Sequence, residues 1–280
     1  MINLILAVIA SVLIGTFMRI SERHIDEPIS MFLANYTVCS ILAKLYIGNA
    51  GAFLFAEASV FPIILGIICG FSFLGGLLML NLSIRRNGVV LSTVFQKLGV
   101  LVPIVVAMLF YGEMPESVQI VGFLIAIAAI FLIYFEKSDL SGKAASKLSL
   151  ILLFLINGTS ESLLTVYDKS GAPEFKNHFL FFIFFTASVI CMVILIVKRK
   201  KPSGKELLWG AMIGIPNYYS SRFLLLSLEN VPAIVAYPVY NISVILIVCA
   251  IGRFAFGEKL NPKKLAGMAL IIVSLILLNL

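Results

Sequence analysis

Phe110-Tyr111-Gly112-Glu113 closes one long apolar run, and Phe256-Gly257-Glu258 closes another, with the shared aromatic-Gly-Glu displaced by 145 residues. Gly122 and Gly267 follow at the same offset. Upstream, Gly66 and Gly70 return as Gly210 and Gly214, and Ser83 as Ser227, at an offset of 144. One inserted residue between the blocks explains the step. Gly-x-x-x-Gly, aromatic-Gly-Glu and a following Gly at nearly constant offset make the chain a tandem repeat rather than a chance set of matches.

What repeats is a set of apolar runs. Of the 280 residues, 61% are hydrophobic and 12% charged, about half the charged fraction of a soluble domain. A fold of this size cannot cover its surface with so few charges, so most of the surface faces lipid. Runs long enough to cross the hydrocarbon core fall near residues 2–20, 28–47, 59–83, 88–110, 116–135, 148–168, 178–198, 206–228, 232–254 and 262–280. They do not alternate apolar with polar as barrel strands do. The expected fold is an all-α integral membrane protein of ten transmembrane helices. Residues 1–137 and 147–280 form the two five-helix repeats, joined by a linker at 138–146. An odd number of spans per repeat makes the two halves enter the membrane in opposite senses, a common plan of secondary transporters with the site between the halves near mid-depth. Pro103, Pro216 and Pro238 lie inside spans, where each removes a helix hydrogen bond and predicts a kink.

The first run has no basic residue before it and no small-residue cleavage site after it, so it reads as a span rather than a signal peptide. The four cysteines lie in apolar runs, outside metal-ligand or C-x-x-C spacing, and read as small buried hydrophobes. The net charge of +7 is spread over the segments between spans, which argues for membrane orientation rather than nucleic acid. Of the 21 Lys and Arg, 16 fall in odd-numbered loops and only Lys44, Lys169 and Lys176 in even-numbered ones. By the positive-inside rule both termini lie outside. Lys198-Arg199-Lys200-Lys201 then anchors a cytoplasmic loop beside lipid headgroups.

Lys97 and Arg222 complete the count, and both lie within spans, as does Glu161. A charge at mid-depth is costly in lipid, so each must face a cavity or a partner. Two cations and one anion leave a surplus positive charge suited to a carboxylate or phosphate. The competing reading is an internal ion pair of Glu161 with Lys97 or Arg222. At offset 144, Gln96-Lys97 matches Tyr240-Asn241, which would place two polar pairs across the pseudo-two-fold axis. Polar residues also interrupt span six, at Asn157 to Ser162, and span eight, where Pro216 precedes Asn217, Tyr218, Tyr219, Ser220, Ser221 and Arg222. Interhelical hydrogen bonds account for any one of these alone. The expected substrate-binding set is Gln96, Lys97, Asn157, Glu161, Asn217, Tyr218, Arg222, Tyr240 and Asn241. The Gly-x-x-x-Gly pairs read as close helix packing, and Glu113 and Glu258 as structural residues at helix ends.

The two aromatic-Gly-Glu segments, each after a fourth span of five and before a last span with an early Gly, resemble the drug/metabolite transporter superfamily in its ten-helix EamA-type branch. The resemblance extends over essentially the whole chain. It implies export or exchange of a small metabolite such as an amino acid or organic anion and does not name one. It departs from the family in one respect: the family's more usual arrangement puts both termini in the cytoplasm. No nucleotide-binding loop is present, so the chain is not by itself a primary pump. A lipid-linked sugar or lipid translocase is the alternative within transport. An intramembrane enzyme would need paired acids, a Ser/Lys pair or H-E-x-x-H, which the sequence lacks. The expected partners are a small solute and membrane lipids, with no cofactor and no nucleic acid. Glu161, Asp168 and His178 are the groups that would serve if transport is coupled to protons; coupling and oligomeric state stay open.

Overall fold

The computed structural model describes residues 2–22, 24–25, 27–47, 60–111, 116–134, 144–228, 231, 233–257 and 262–277. Gly112, Glu113 and Glu258 of the repeated motif, and the linker up to residue 143, lie outside them. Among the described residues there are eleven α-helices and no strand. The first half contributes α1 (Ile2–Ser21), α2 (Pro28–Ile47), α3 (Val60–Asn87), α4 (Val89–Leu98), α5 (Leu101–Tyr111) and α6 (Ser117–Tyr134). The second contributes α7 (Ala144–Ser170), α8 (Lys176–Val197) after a short 3-10 turn, α9 (Gly204–Leu228), α10 (Ala233–Phe254) and α11 (Pro262–Leu277). Five of these segments are long and apolar enough to cross a membrane, in α1, α2, α3, α7 and α8, and shorter apolar helices accompany them.

The surface is that of a protein dissolved in lipid. Phe254 is 87% exposed, Val197 76% and Ile2 75%, while Asn35, Asn81, Ser92, Lys97 and Asn241 are buried. Water would reward the opposite distribution. The chain is an all-α membrane protein.

Helices in lipid gain no hydrophobic drive toward one another, so small residues that let backbones touch do the packing. Gly66 and Gly70 press α3 onto α8, where a Cβ on Gly70 would stand 2.7 Å from the Ile183 carbonyl oxygen. Gly210 and Gly214 press α9 onto α2, where a Cβ on Gly214 would stand 2.6 Å from the Asn35 carbonyl oxygen. The repeated glycines therefore serve equivalent interfaces. The main interfaces survive exchange of the halves: α3 with α8 answers to α9 with α2, α1 with α9 to α7 with α3, and α1 with α10 to α7 with α4 and α5. Near α6 and α11 the early Gly is again an approach point, since Ser274 Oγ donates to the Gly122 carbonyl at 2.7 Å.

The α1–α2 loop meets the α8–α9 loop, with Lys198 Nζ 3.9 Å from Glu27 Oε1 and the Glu27 amide donating to Glu206 Oε1 at 3.0 Å. Ser203 and Glu206 close a reciprocal cap at the start of α9 there. At the other end of α2, Asn177 at the head of α8 donates to the Tyr46 carbonyl at 3.3 Å.

The segment expected as one kinked fourth span is broken instead. Pro103 has no N–H for the Gly99 carbonyl, so Val102 N donates to it at 2.9 Å, and Gly99 N donates to Gln96 O at 3.1 Å. These tighter turns separate α4 from α5 at Gly99 and Val100. The matching segment of the second half, α10, runs unbroken.

A methyl at Gly214 would run into the Asn35 backbone and Val38 Cβ, neither of which can swing away, whereas one at Gly204 meets nothing within 4 Å. Gly214→Ala is expected to cost about 1–3 kcal/mol of stability and to lower the melting temperature in detergent, while Gly204→Ala leaves it unchanged or raised. Equal melting of the two variants would show that the α2–α9 contact is not close.

Candidate functional site

The break between α4 and α5 begins two residues past Lys97, and α7 covers it. Helix ends leave carbonyls without partners, and backbone at membrane depth is tolerated out of helical geometry only where protein buries it. Asn157 of α7 donates to the Gln96 carbonyl at 3.2 Å, and Gln96 Nε2 reaches back to Asn157 Oδ1 at 3.5 Å. Gly158 lies directly on the break: a Cβ there would meet Val102 and stand 2.7 Å from the Gly99 carbonyl oxygen. The C-terminal end of α4, carrying Gln96 and Lys97, is thus seated on α7 by an amide and a glycine.

Beside this seat lies a cavity of about 110 Å³. Helices α1, α3 and α4 of the first half and α7, α9 and α10 of the second all contribute to its wall. Gln96, Lys97, Asn157, Glu161, Asn217 and Tyr240 of the expected set line it. On α7 the lining residues are Asn157, Ser160, Glu161 and Leu164, and on α9 Asn217, Ser220, Ser221 and Leu224. Both follow the i, i+3, i+4, i+7 stripe of one helix face.

Lys97 is 4% exposed. Its ammonium stands 4.0 Å from the centroid of the Tyr240 ring, a cation–π contact across the two halves. The Tyr240 hydroxyl lies 3.1 Å from Ser220 Oγ. Glu161 Oε2 is buried and accepts no hydrogen bond. Lys97 and Glu161 share the cavity, yet no salt bridge joins them among the described residues. Asn217 donates to Asn35 Oδ1 of α2 at 3.3 Å, which holds its side chain from behind.

Three expected residues stand elsewhere. Tyr218 and Arg222, one helical turn apart, fall on the stripe of α9 next to the cavity stripe and face α2 and α8. There Arg222 Nη1 donates to Asn177 Oδ1 at 2.6 Å, and its guanidinium stacks 3.6 Å from the Tyr46 ring centroid. Tyr218 is fully buried and stacks on the same Tyr46 ring at 5.9 Å. Arg222 is therefore a clasp between α2, α8 and α9, and neither cation of the spans pairs with Glu161. Asn241 does not line the cavity either, because it follows Tyr240 by about 100° around α10; it is buried with both amide atoms unpartnered.

The sequence reading missed Ser11, Gly76 and the apolar wall of Ile14, Phe73, Leu77, Leu164 and Leu224. The α7 and α9 leucines were recoverable by extending the polar stripes one turn. A lone serine or glycine in an apolar run carries no such signal.

Residues 148–280 match the model of the EamA-like transporter family. An uncharacterized protein of Haemophilus influenzae is 22% identical over 276 residues, covering 95% of this chain and 93% of the relative. A solved crystal structure shares the fold with a TM-score of 0.62 at 13% identity, covering 98% of this chain and 95% of the other. Over residues 148–280 the chain matches the EamA-like transporter family, which bears out the resemblance to the drug/metabolite transporter superfamily that its paired aromatic-Gly-Glu segments carry.

Proposed function

We propose that the protein is a secondary transporter that moves a small polar metabolite, such as an amino acid or organic anion, across the cell membrane by alternating access between two inverted five-helix repeats. The observation that carries this reading is the placement of Lys97 and Glu161, unpaired with each other, on a cavity walled by three helices from each half. A carrier needs its binding groups at the interface that rocks. Residues 1–137 and 147–280 are the two units, and the exchange symmetry of their packing supports that division. The export direction follows the family resemblance.

In this reading Lys97 holds the anionic group of the solute. Gln96, Asn157, Asn217 and Tyr240 offer it donors and acceptors, and Glu161 sets the charge opposite. The Tyr240 ring and the α7 seat keep the lysine off lipid. Arg222 and Tyr218 hold α9 against α2 and α8 behind the wall.

Lys97→Met keeps the length and apolar stem and removes the charge. The loss of one charge-assisted contact, about 1.5–3 kcal/mol, is expected to reduce transport in proteoliposomes by roughly 10- to 100-fold with normal expression and melting. If instead Lys97→Met fails to fold and Lys97→Met with Glu161→Gln folds, the lysine is a structural charge and the site is not here.

The excess of Lys and Arg in the odd-numbered loops supports a topology with the Lys198–Lys201 segment in the cytoplasm and both termini outside. In a variant without native cysteines, a cysteine at position 200 is expected to resist a membrane-impermeant thiol reagent in intact cells and to react once the membrane is opened. Labelling in intact cells reverses the topology.

A further inference from the structure

Lys97 and Glu161 are the only Lys, Arg, Asp or Glu side chains on the cavity among the described residues, one of each sign. No salt bridge joins them. The repeat shows why their settings differ. On α3 the cavity stripe is Phe73, Gly76 and Leu77, and at offset 144 the same stripe of α9 is Asn217, Ser220 and Ser221. Equivalent helices thus give the cavity one wall without a side-chain donor and one wall of amide and hydroxyl groups. Lys97 turns to the polar side, onto the Tyr240 ring whose hydroxyl meets Ser220. Glu161 belongs to α7, the helix packed along α3, and its buried Oε2 accepts no hydrogen bond.

This charge pattern constrains what the cavity can load. An anion docked on Lys97 leaves the Glu161 carboxylate as an unmatched negative charge away from water, which is costly. A proton on Glu161 removes that charge. Anion and proton therefore raise each other's affinity, and the coupling is reciprocal. The α3 wall offers a carboxylate nothing and a carboxylic acid no penalty, which selects an anion with its proton over a zwitterion. Around Glu161, α4 brings Lys97 and α10 brings Tyr240, while α1, α3, α5 and α9 turn no charged side chain into the cavity. Arg222 of α9 is held away by Asn177 and Tyr46. Of the other two groups that the sequence offers for proton coupling, Asp168 is exposed near the end of α7, and His178 packs edge-on against Phe175 at the head of α8. Neither lines the cavity.

We infer that Glu161 takes up a proton when an anionic solute docks on Lys97, and that the two cross together. The proton joins the carboxylate from water on the loading side and leaves to water on the other. Each cycle then moves an anion and a proton and no net charge. This rests on the transport reading above and adds to it a coupling ion, the residue that carries it, and the choice of the organic anion over the amino acid.

The test uses proteoliposomes of the full-length protein, with labelled lactate, 4-methyl-2-oxopentanoate and leucine as probes and a pH-sensitive dye inside. Rates are taken above those of empty liposomes, because free acids leak. At least one of the two anions is expected to enter with about one proton per anion and to ignore an imposed membrane potential. On a pH gradient of about one unit, acid outside, it is expected to accumulate about tenfold. Glu161→Gln is expected to lower the proton count at least tenfold and to make any remaining anion flux follow the potential. Asp168→Asn and His178→Gln are expected to keep the coupling of the parent. If Glu161→Gln fails to fold, Glu161→Asp keeps a carboxyl group and is expected to shift the pH of half-maximal uptake; an unshifted profile overturns the assignment.

Anion uptake without protons, or uptake that follows the potential in the parent, overturns the coupling. Coupling that survives in Glu161→Gln, or is lost in Asp168→Asn or His178→Gln, takes it away from Glu161. A folded Glu161→Gln that moves no anion makes the carboxylate part of solute binding and overturns the inference. Leucine moving while both anions stay put overturns the coupled anion, and the transport site still stands if Lys97→Met stops that flux. If no probe moves, the inference is wrong. A flux that Lys97→Met leaves intact takes the transport site down as well.

Discussion

Lipid offers no hydrogen bonds, and that constraint organises the molecule. Every backbone N–H and C=O at membrane depth must find its partner inside the protein, which is why the described residues are helical almost throughout. Among the described residues, the break between α4 and α5 at Gly99 and Val100 occurs where α7 can cover it. Asn157 gives the Gln96 carbonyl a second donor beside the Gly99 amide, and Gly158 lets the two backbones approach. The break is affordable only there, and it puts the end of α4, with Lys97, at the centre of the bundle.

The same solvent explains the packing. With apolar surface equally content against lipid or another helix, association depends on close backbone approach and on polar contacts. Gly66, Gly70, Gly210 and Gly214 provide the first. The Tyr36 hydroxyl donating to the Phe73 carbonyl at 2.7 Å and the Asn35–Asn217 amide pair provide the second. These contacts join α2, α3, α8 and α9 into one block, clasped at one end by Glu27, Glu206 and Lys198 and at the other by Arg222, Asn177 and Tyr46.

The two charged groups that share the cavity follow from the same economy of polar groups. Arg222 reaches an amide and an aromatic ring near a helix end, where its positive charge needs no carboxylate. Lys97 is buried near the end of α4 and turns to the face of Tyr240. Glu161 is left facing the cavity rather than a cation. A charge pattern that would be unstable in lipid is held because six helices wall it off, and a site of unmet polar groups is what a polar solute can fill.

Most of the fold was legible in the sequence. Helical spans follow from long apolar runs, because lipid leaves no other backbone solution, and the recurrence of Gly66-x-x-x-Gly70 as Gly210-x-x-x-Gly214 pointed to the close α3–α8 and α9–α2 contacts. The matched offset also brought Gln96-Lys97 and Tyr240-Asn241 to the same level. Which residues turn inward was decided by tertiary structure alone. A one-residue step rotates a helix position by about 100°, so Tyr240 rather than Asn241 and Asn217 rather than Tyr218 reach the cavity. Nothing local separates Gly76, which borders the cavity, from Gly210, which lets a helix in. Sequence determines the period and the solvent of each helix; only the packed bundle fixes its rotation, because rotation is set by the neighbours it touches.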